Sequence, residues 1–174
     1  MSTLYVDTIN EKTSGNGIEI PGHVLQVKSV HKSDTFSTSS LSFVDVTGLS
    51  VSITPKSTSS KILVISDIAL GVNINIFSYY RILRDSTAIN IGDASTGRVS
   101  LTGMAHDGDN AGIVNRQSSQ FIDSPATTSS VTYKIQARSA TSGTSYINRG
   151  SRDLAGTDYD TRQASSLILM EIGG

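Results

Sequence analysis

The residues of this chain that could do chemistry are few, and their spacing argues against most of it. The three histidines, His23, His31 and His106, stand far apart and share no metal-ligand spacing. Surface imidazoles are the simpler reading. Asp107-Gly-Asp-Asn110 offers oxygens to a cation such as calcium, but without the spaced carboxylates and terminal glutamate of a calcium loop it reads as a polar turn. Asp158, Asp160 and Glu171 form no interpretable acid–base pair. The many serines include no Gly-x-Ser-x-Gly elbow, so a hydrolase triad has little support. Cysteine is absent, which removes disulfides, thiolate metal sites and a thiol nucleophile. Tyr79 and Tyr80 could stack on sugars, though buried or interfacial aromatics fit better, and Arg81 and Arg84 read as solvated charges beside them. No catalytic, cofactor or metal residue is therefore expected, and the chain reads as a non-enzyme.

What remains is architecture. The stretch Lys61–Leu70 carries Ile62, Val64, Ile68 and Leu70 on one strand face, and Leu63, Ile65 and Ala69 on the other. β-Branched residues dominate it, Ser57–Ser60 precede it and Gly71 follows it, so it reads as a strand covered on both faces. A chain of 174 residues suits one well-buried domain. Serine and threonine make up roughly a quarter of it and charged residues are sparse, which fits short strands joined by polar turns. The net charge of −1 and the lack of like-charge blocks leave no nucleic-acid or membrane-surface footprint. No stretch approaches membrane-spanning length, and Met1–Asp7 lacks the basic start and apolar core of a secretory signal.

Residues 1–22 read as an extended leader, either draped on the domain or a stem that orders only beside other chains. Leu4–Ile9 and Ile18–Ile20 flank a Gly/Asn turn, and Pro21-Gly22 marks the boundary with a domain over 23–174. The leader has too few apolar side chains for a core of its own; in the stem reading Leu4, Val6, Ile9, Ile18 and Ile20 order against other chains. Strands are expected at His23–Val30, Phe43–Val46, Leu49–Thr54, Lys61–Leu70, Ile76–Leu83 with a return at Ala88–Ile91, Arg98–Met104, Phe121-Ile122, Val131–Arg138 and Ser166–Ile172. Those at Leu49, Arg98 (Val99 and Leu101 inward) and Val131 are greasy on one side. Those at Val24, Lys61, Ile76 and Leu167 are greasy on both. A sandwich of two antiparallel sheets places the first kind outside and makes the second an inner sheet whose far face meets another subunit. Tyr79, Tyr80, Leu167, Leu169 and Met170 are the expected interface residues.

Two resemblances carry this further. Val6-Asp-Thr-Ile-Asn-Glu-Lys-Thr-Ser-Gly-Asn-Gly17 resembles a phrase recurring in the stems of bacteriophage tail-fibre and related virion proteins, marine phages above all. Tyr79–Thr87, Phe121–Thr128, Val131–Ile135 and Leu167–Ile172, in that order, resemble the landmarks of jelly rolls of the tumour-necrosis-factor and complement globular-head type in phage tail fibres and decoration proteins. One departure is Ser86, where such hairpin turns often carry glycine. The resemblance implies an all-β jelly-roll homotrimer with inner sheets facing the three-fold axis, located in the virion and made in the infected bacterial cytoplasm. It implies partners in other virion proteins through the stem, and in a host-surface glycan or protein. A trimeric fibre or knob is the leading expectation, and a capsid-decorating or cementing protein the alternative. A glycan-processing jelly roll would need a carboxylate pair that the sequence does not show.

Overall fold

A computed structural model describes residues 22–73, 75–106, 112–156 and 158–174, together with Thr8 and Asn10. The described residues form eleven strands and no helix: β1 Val24–Lys32, β2 Phe36–Thr38, β3 Val44–Ile53, β4 Lys61–Val72, β5 Phe77–Arg84, β6 Thr87–Ile89, β7 Gly103–His106, β8 Val114–Asp123, β9 Val131–Ser139, β10 Ser145–Ile147 and β11 Ser165–Ile172. Every pairing is antiparallel.

β4 organises the first sheet. β8 runs along one of its edges from Ile62 to Gly71, and β11 along the other from Lys61 to Asp67. β10 takes over that second edge at Leu70–Val72 and carries β2, while β1 pairs outside β11. The second sheet runs β3-β9-β5, with β7 and β6 sharing the free edge of β5. The orders β1-β11-β4-β8 and β3-β9-β5-β7 are those of a jelly-roll sandwich.

The two-residue strand period builds the core between the sheets. Ile62, Val64, Ile68 and Leu70 of β4, with Leu167 and Leu169 of β11, meet Tyr80 and Ile82 of β5 and Tyr133, Ile135 and Ala137 of β9. The segments Phe43–Val46 and Leu49–Thr54, expected as separate pieces, join as β3. Its pairing with β9 slips between Asp45 and Ser50, where Gly48 adopts φ +84°, a conformation costly for any residue with a Cβ. The slip lets Val46 and Leu49, three apart in sequence, both point inward.

Two strand expectations are corrected. The strand from Ile76 is not part of the inner sheet; as β5 it lies in the second sheet between β9 and β7/β6. It is greasy on both sides because Tyr80 and Ile82 enter the core while Phe77 and Tyr79 stack outside on His106 and Arg138. Of Arg98–Met104 only the end is strand, since β7 begins at Gly103; Val99 is exposed and Leu101 half-buried. A turn from Arg98 N–H to Ser95 O, and the Thr102 Oγ1 that accepts the Ile82 N–H at 3.1 Å, hold that stretch as a loop. Gly103 starts β7 because a Cβ there would lie 2.4 Å from the Tyr80 ring. At the β5–β6 turn it is Asp85, not Ser86, that takes the left-handed backbone (φ 52°). Its N–H donates to Thr132 O at 2.7 Å and its carboxylate accepts the Thr132 N–H at 2.9 Å.

Candidate functional site

The pairing of β1, β11, β4 and β8 sets out the outer face of the first sheet in rows. Val24, Ile172 and Lys61 form the rim; Val27, Met170, Leu63 and Ile122 the next row; Ser29, Ile168, Ile65 and Gln120 the third. His31, Ser166, Asp67 and Ser118 close the series on its polar side. Eight apolar side chains from four strands thus share one face. Val24, Val27 and Ile122 remain 45, 51 and 60% exposed, and the other five are half-buried. A contiguous apolar face with a polar border marks an interaction surface rather than scattered surface hydrophobes. Charge at the polar end is neutralised internally, since Asp67 pairs with Arg116 and accepts the Ser118 hydroxyl.

Of the expected interface residues, Met170 alone lies on this face. Leu167 and Leu169 are wholly buried between the sheets, because in β11 they share strand parity with Ser165 and Glu171 and point inward. Tyr80 is likewise core, at 1% exposure, and Tyr79 projects from the outer face of the opposite sheet. No sequence pattern joins Val24, Val27 and Ile122; only strand register brings them together. Leu4, Val6, Ile9, Ile18 and Ile20 lie outside the described residues, as do Asp107–Asn110. From Gly22 onward the chain is tied in, since the Gly22 N–H donates to Gly173 O and the Gly173 N–H to His23 O, both at 2.8 Å.

The buried polar groups hold strands together. Asp123 at the end of β8 accepts two bonds from Arg84 Nη1 of β5, at 2.7 and 2.8 Å, and the Tyr133 hydroxyl of β9 at 2.5 Å. Burial, and then the Asp123 carboxylate, push the Tyr133 phenol far above its ordinary range, so it stays a protonated donor. Glu171 is fully buried and accepts the Lys56 N–H and Gln26 Nε2, both at 2.6 Å. Asn148, also fully buried, donates through Nδ2 to Lys32 O (2.9 Å) and Asp34 O (2.8 Å), and its Oδ1 accepts the Ser165 hydroxyl at 2.6 Å. Ser165 Oγ in turn accepts the Ala69 N–H at 3.0 Å.

Among the described residues, no three His, Asp or Glu side chains gather as a metal site. A shallow cavity of about 410 Å³ is lined by Ile113, Val114, Arg152, Tyr159, Thr161 and Gln163. Its one lining cation, Arg152, is clasped by Asp160 at 2.7–2.9 Å. Among the described residues, no helix is long and apolar enough to cross a membrane.

No protein-family model matches the chain, and no curated protein does. Solved structures with a similar course include the infectious bursal disease virus VP2 subviral particle, at 14% identity and TM-score 0.48, covering 86% of this chain and 33% of that one. Another is a T=1 particle derived from the same virus, at 12% identity and TM-score 0.42, covering 86% and 36%. The chain spans about a third of the length of these proteins. The likeness is one of general course and carries no argument about function.

Proposed function

We propose that this chain is a non-enzymatic structural protein of a virion that assembles with copies of itself through the outer face of the β1-β11-β4-β8 sheet. The carrying observation is the apolar face of Val24, Val27, Leu63, Ile65, Ile122, Ile168, Met170 and Ile172, which leaves large side chains in water in a single chain. The virion setting is supported by the resemblance of the Val6–Gly17 phrase and of the later landmarks to phage fibre and decoration proteins. A homotrimer with three such faces around one axis is the arrangement that resemblance favours. Within it the protein is a short fibre or knob, attached by residues 1–22 to other virion proteins and turning loops toward the host surface. The alternative is the same trimer seated on a capsid as a cement.

Light scattering on the purified protein should give three times the chain mass of 18.4 kDa. A stable monomer at micromolar concentration would overturn self-assembly. Ile122→Asp, on the most exposed position of the face, should give single-chain mass with an unchanged circular-dichroism spectrum; full trimer in this variant would place the interface elsewhere.

Attachment is tested separately. Ordering a residue costs about 1–2 kcal/mol of backbone entropy, which sparse contacts within one chain hardly offset. Deleting residues 2–20 should therefore leave the melting temperature nearly unchanged and abolish incorporation into particles. Unfolding on truncation would make the leader part of the domain. Normal loading of the truncated protein would favour attachment through the jelly roll, as a cement requires.

A further inference from the structure

The outer face of the second sheet carries a different surface. Strand pairing sets Tyr79 beside Arg138 and Arg81 beside Gln136, with Phe43 just ahead of β3. The Arg81 guanidinium carbon lies 4.2 Å from the centre of the Phe43 ring. That of Arg138 lies 5.4 Å from the same ring and 5.0 Å from the Tyr79 ring. The line continues from Tyr79 to Phe77 (6.3 Å between centroids) and from Phe77 to His106 (4.3 Å), both stacked. Exposed Leu41 and Met104 flank it.

Its charges are unbalanced. Arg84, Arg116, Arg149, Arg152 and Arg162 each pair with an aspartate, whereas Arg81 and Arg138, like Arg98 elsewhere on the surface, have no ion-pair partner among the described residues. Asp45, in the neighbouring row, is engaged by Lys134 Nζ at 2.7 Å and Gln136 Nε2 at 2.6 Å. Arg81 donates through Nε to Gln136 Oε1 at 2.9 Å, and Arg138 through Nη1 to Leu41 O at 2.7 Å. The Arg138 Nε is buried with no acceptor among the described residues. Burial first, and the Arg138 charge second, hold the Arg81 guanidinium below its ordinary pKa. Two like charges clamped over one ring, with donors to spare, are stabilised by an arriving oxyanion.

We propose that this face binds a carboxylate-bearing saccharide chain, with a carboxylate between Arg81 and Arg138 at Phe43 and neighbouring sugar rings along Tyr79, Phe77 and His106. Guanidinium forks match a planar carboxylate, and the apolar C–H faces of pyranoses pack against aromatic side chains. Nucleic acid fits less well, because the two unpaired arginines of this face, on a chain of net charge −1, neutralise few of its closely spaced phosphates. The site is on the opposite face of the sandwich from the assembly surface and stands without the virion reading.

The test is calorimetric titration of the full chain with four probes: hexagalacturonate, neutral maltohexaose, hexaglutamate and hexathymidylate. Saturable binding of hexagalacturonate is expected, weakening as sodium chloride is raised, with at least tenfold weaker binding or none for the other three. Arg138→Gln and Arg81→Gln should each weaken hexagalacturonate binding at least tenfold, and Phe43→Ala likewise, with melting curves showing that each variant is folded. No binding of hexagalacturonate overturns the proposal. So does equal binding of maltohexaose, which makes the arginines irrelevant, or of hexaglutamate or hexathymidylate, which makes the face a general anion surface. Wild-type affinity in a folded arginine variant overturns it as well.

Discussion

Tyr80→Asp should yield no folded protein, whereas Met170→Asp should yield a folded one that no longer assembles. Tyr80 is 1% exposed between the sheets, its ring packed over Gly103, so the change removes a large core side chain and leaves a carboxylate without a partner. Loss of a buried aromatic costs about 3–5 kcal/mol. Burying the new charge or protonating it adds several more, roughly. Together these match the entire stability of a typical domain, about 5–15 kcal/mol. Met170, half-buried on the outer face of β11, has solvent beside it in the single chain, so an aspartate there is hydrated and the domain survives. The measurements are far-ultraviolet circular dichroism with thermal melting, and light scattering for mass. Both variants unfolding would mean the outer face is indispensable to the fold itself; both remaining fully assembled would overturn the assignment of faces.

The second large effect is expected at Asn148. Its side chain satisfies the carbonyls of Lys32 and Asp34 and the hydroxyl of Ser165, and its backbone sits at φ 68° with its N–H on Ala69 O. One residue thereby joins the end of β1 to β4 and β11. Asn148→Ala leaves these groups unpaired, at about 1–3 kcal/mol for each that water cannot reach. It also places a Cβ residue without a compensating side-chain bond in the left-handed region, at roughly 1–2 kcal/mol. A loss of about 3–5 kcal/mol is expected in urea unfolding. Asn148→Gly should recover the backbone part alone and stand above alanine. Asn148→Asp should be the least stable, because it turns a donor facing two carbonyl oxygens into a buried acceptor. If aspartate matched asparagine, the hub would not be the clasp described.

Much of the fold was legible because strand parity is legible where one face is wet. Val131–Arg138 alternates cleanly, and the structure puts Val131, Tyr133, Ile135 and Ala137 inward. The alternation in Lys61–Leu70 likewise separates the core set from the outer Leu63 and Ile65, although Ala69, expected with the latter, is buried. The β11 run shows where the reading fails. Leu167-Ile-Leu-Met is apolar at every position, so periodicity cannot choose a face, and the charge that should decide, Glu171, points the unexpected way. It is buried because Lys56 N–H and Gln26 reach it, contacts over 115 and 145 residues of sequence. Tyr79 and Tyr80 posed the same ambiguity on β5. The assembly face was hidden for another reason: Val27, Met170, Leu63 and Ile122 come from four strands, and only the register aligns them. The arginine–phenylalanine clamp was equally invisible, since Phe43, Arg81 and Arg138 are remote in sequence and each looks like an ordinary surface residue.

The position of β11 has a consequence for how the chain is made. It lies within its sheet, with β1 on one side and β4 on the other, yet it follows all the other described strands in sequence. On the ribosome, β1 has no strand partner among the described residues until residues 165–172 have emerged. β4 has only β8 and the short β10 until then, and its edge from Lys61 to Asp67 stands open. Non-local pairing of this kind is slow, because loop closure precedes the contacts that reward it. Open strand edges are where nascent chains aggregate. A nascent chain halted before residue 165 should therefore carry an unclosed first sheet beside the second one, and a translation pause placed there should lower the yield of folded protein.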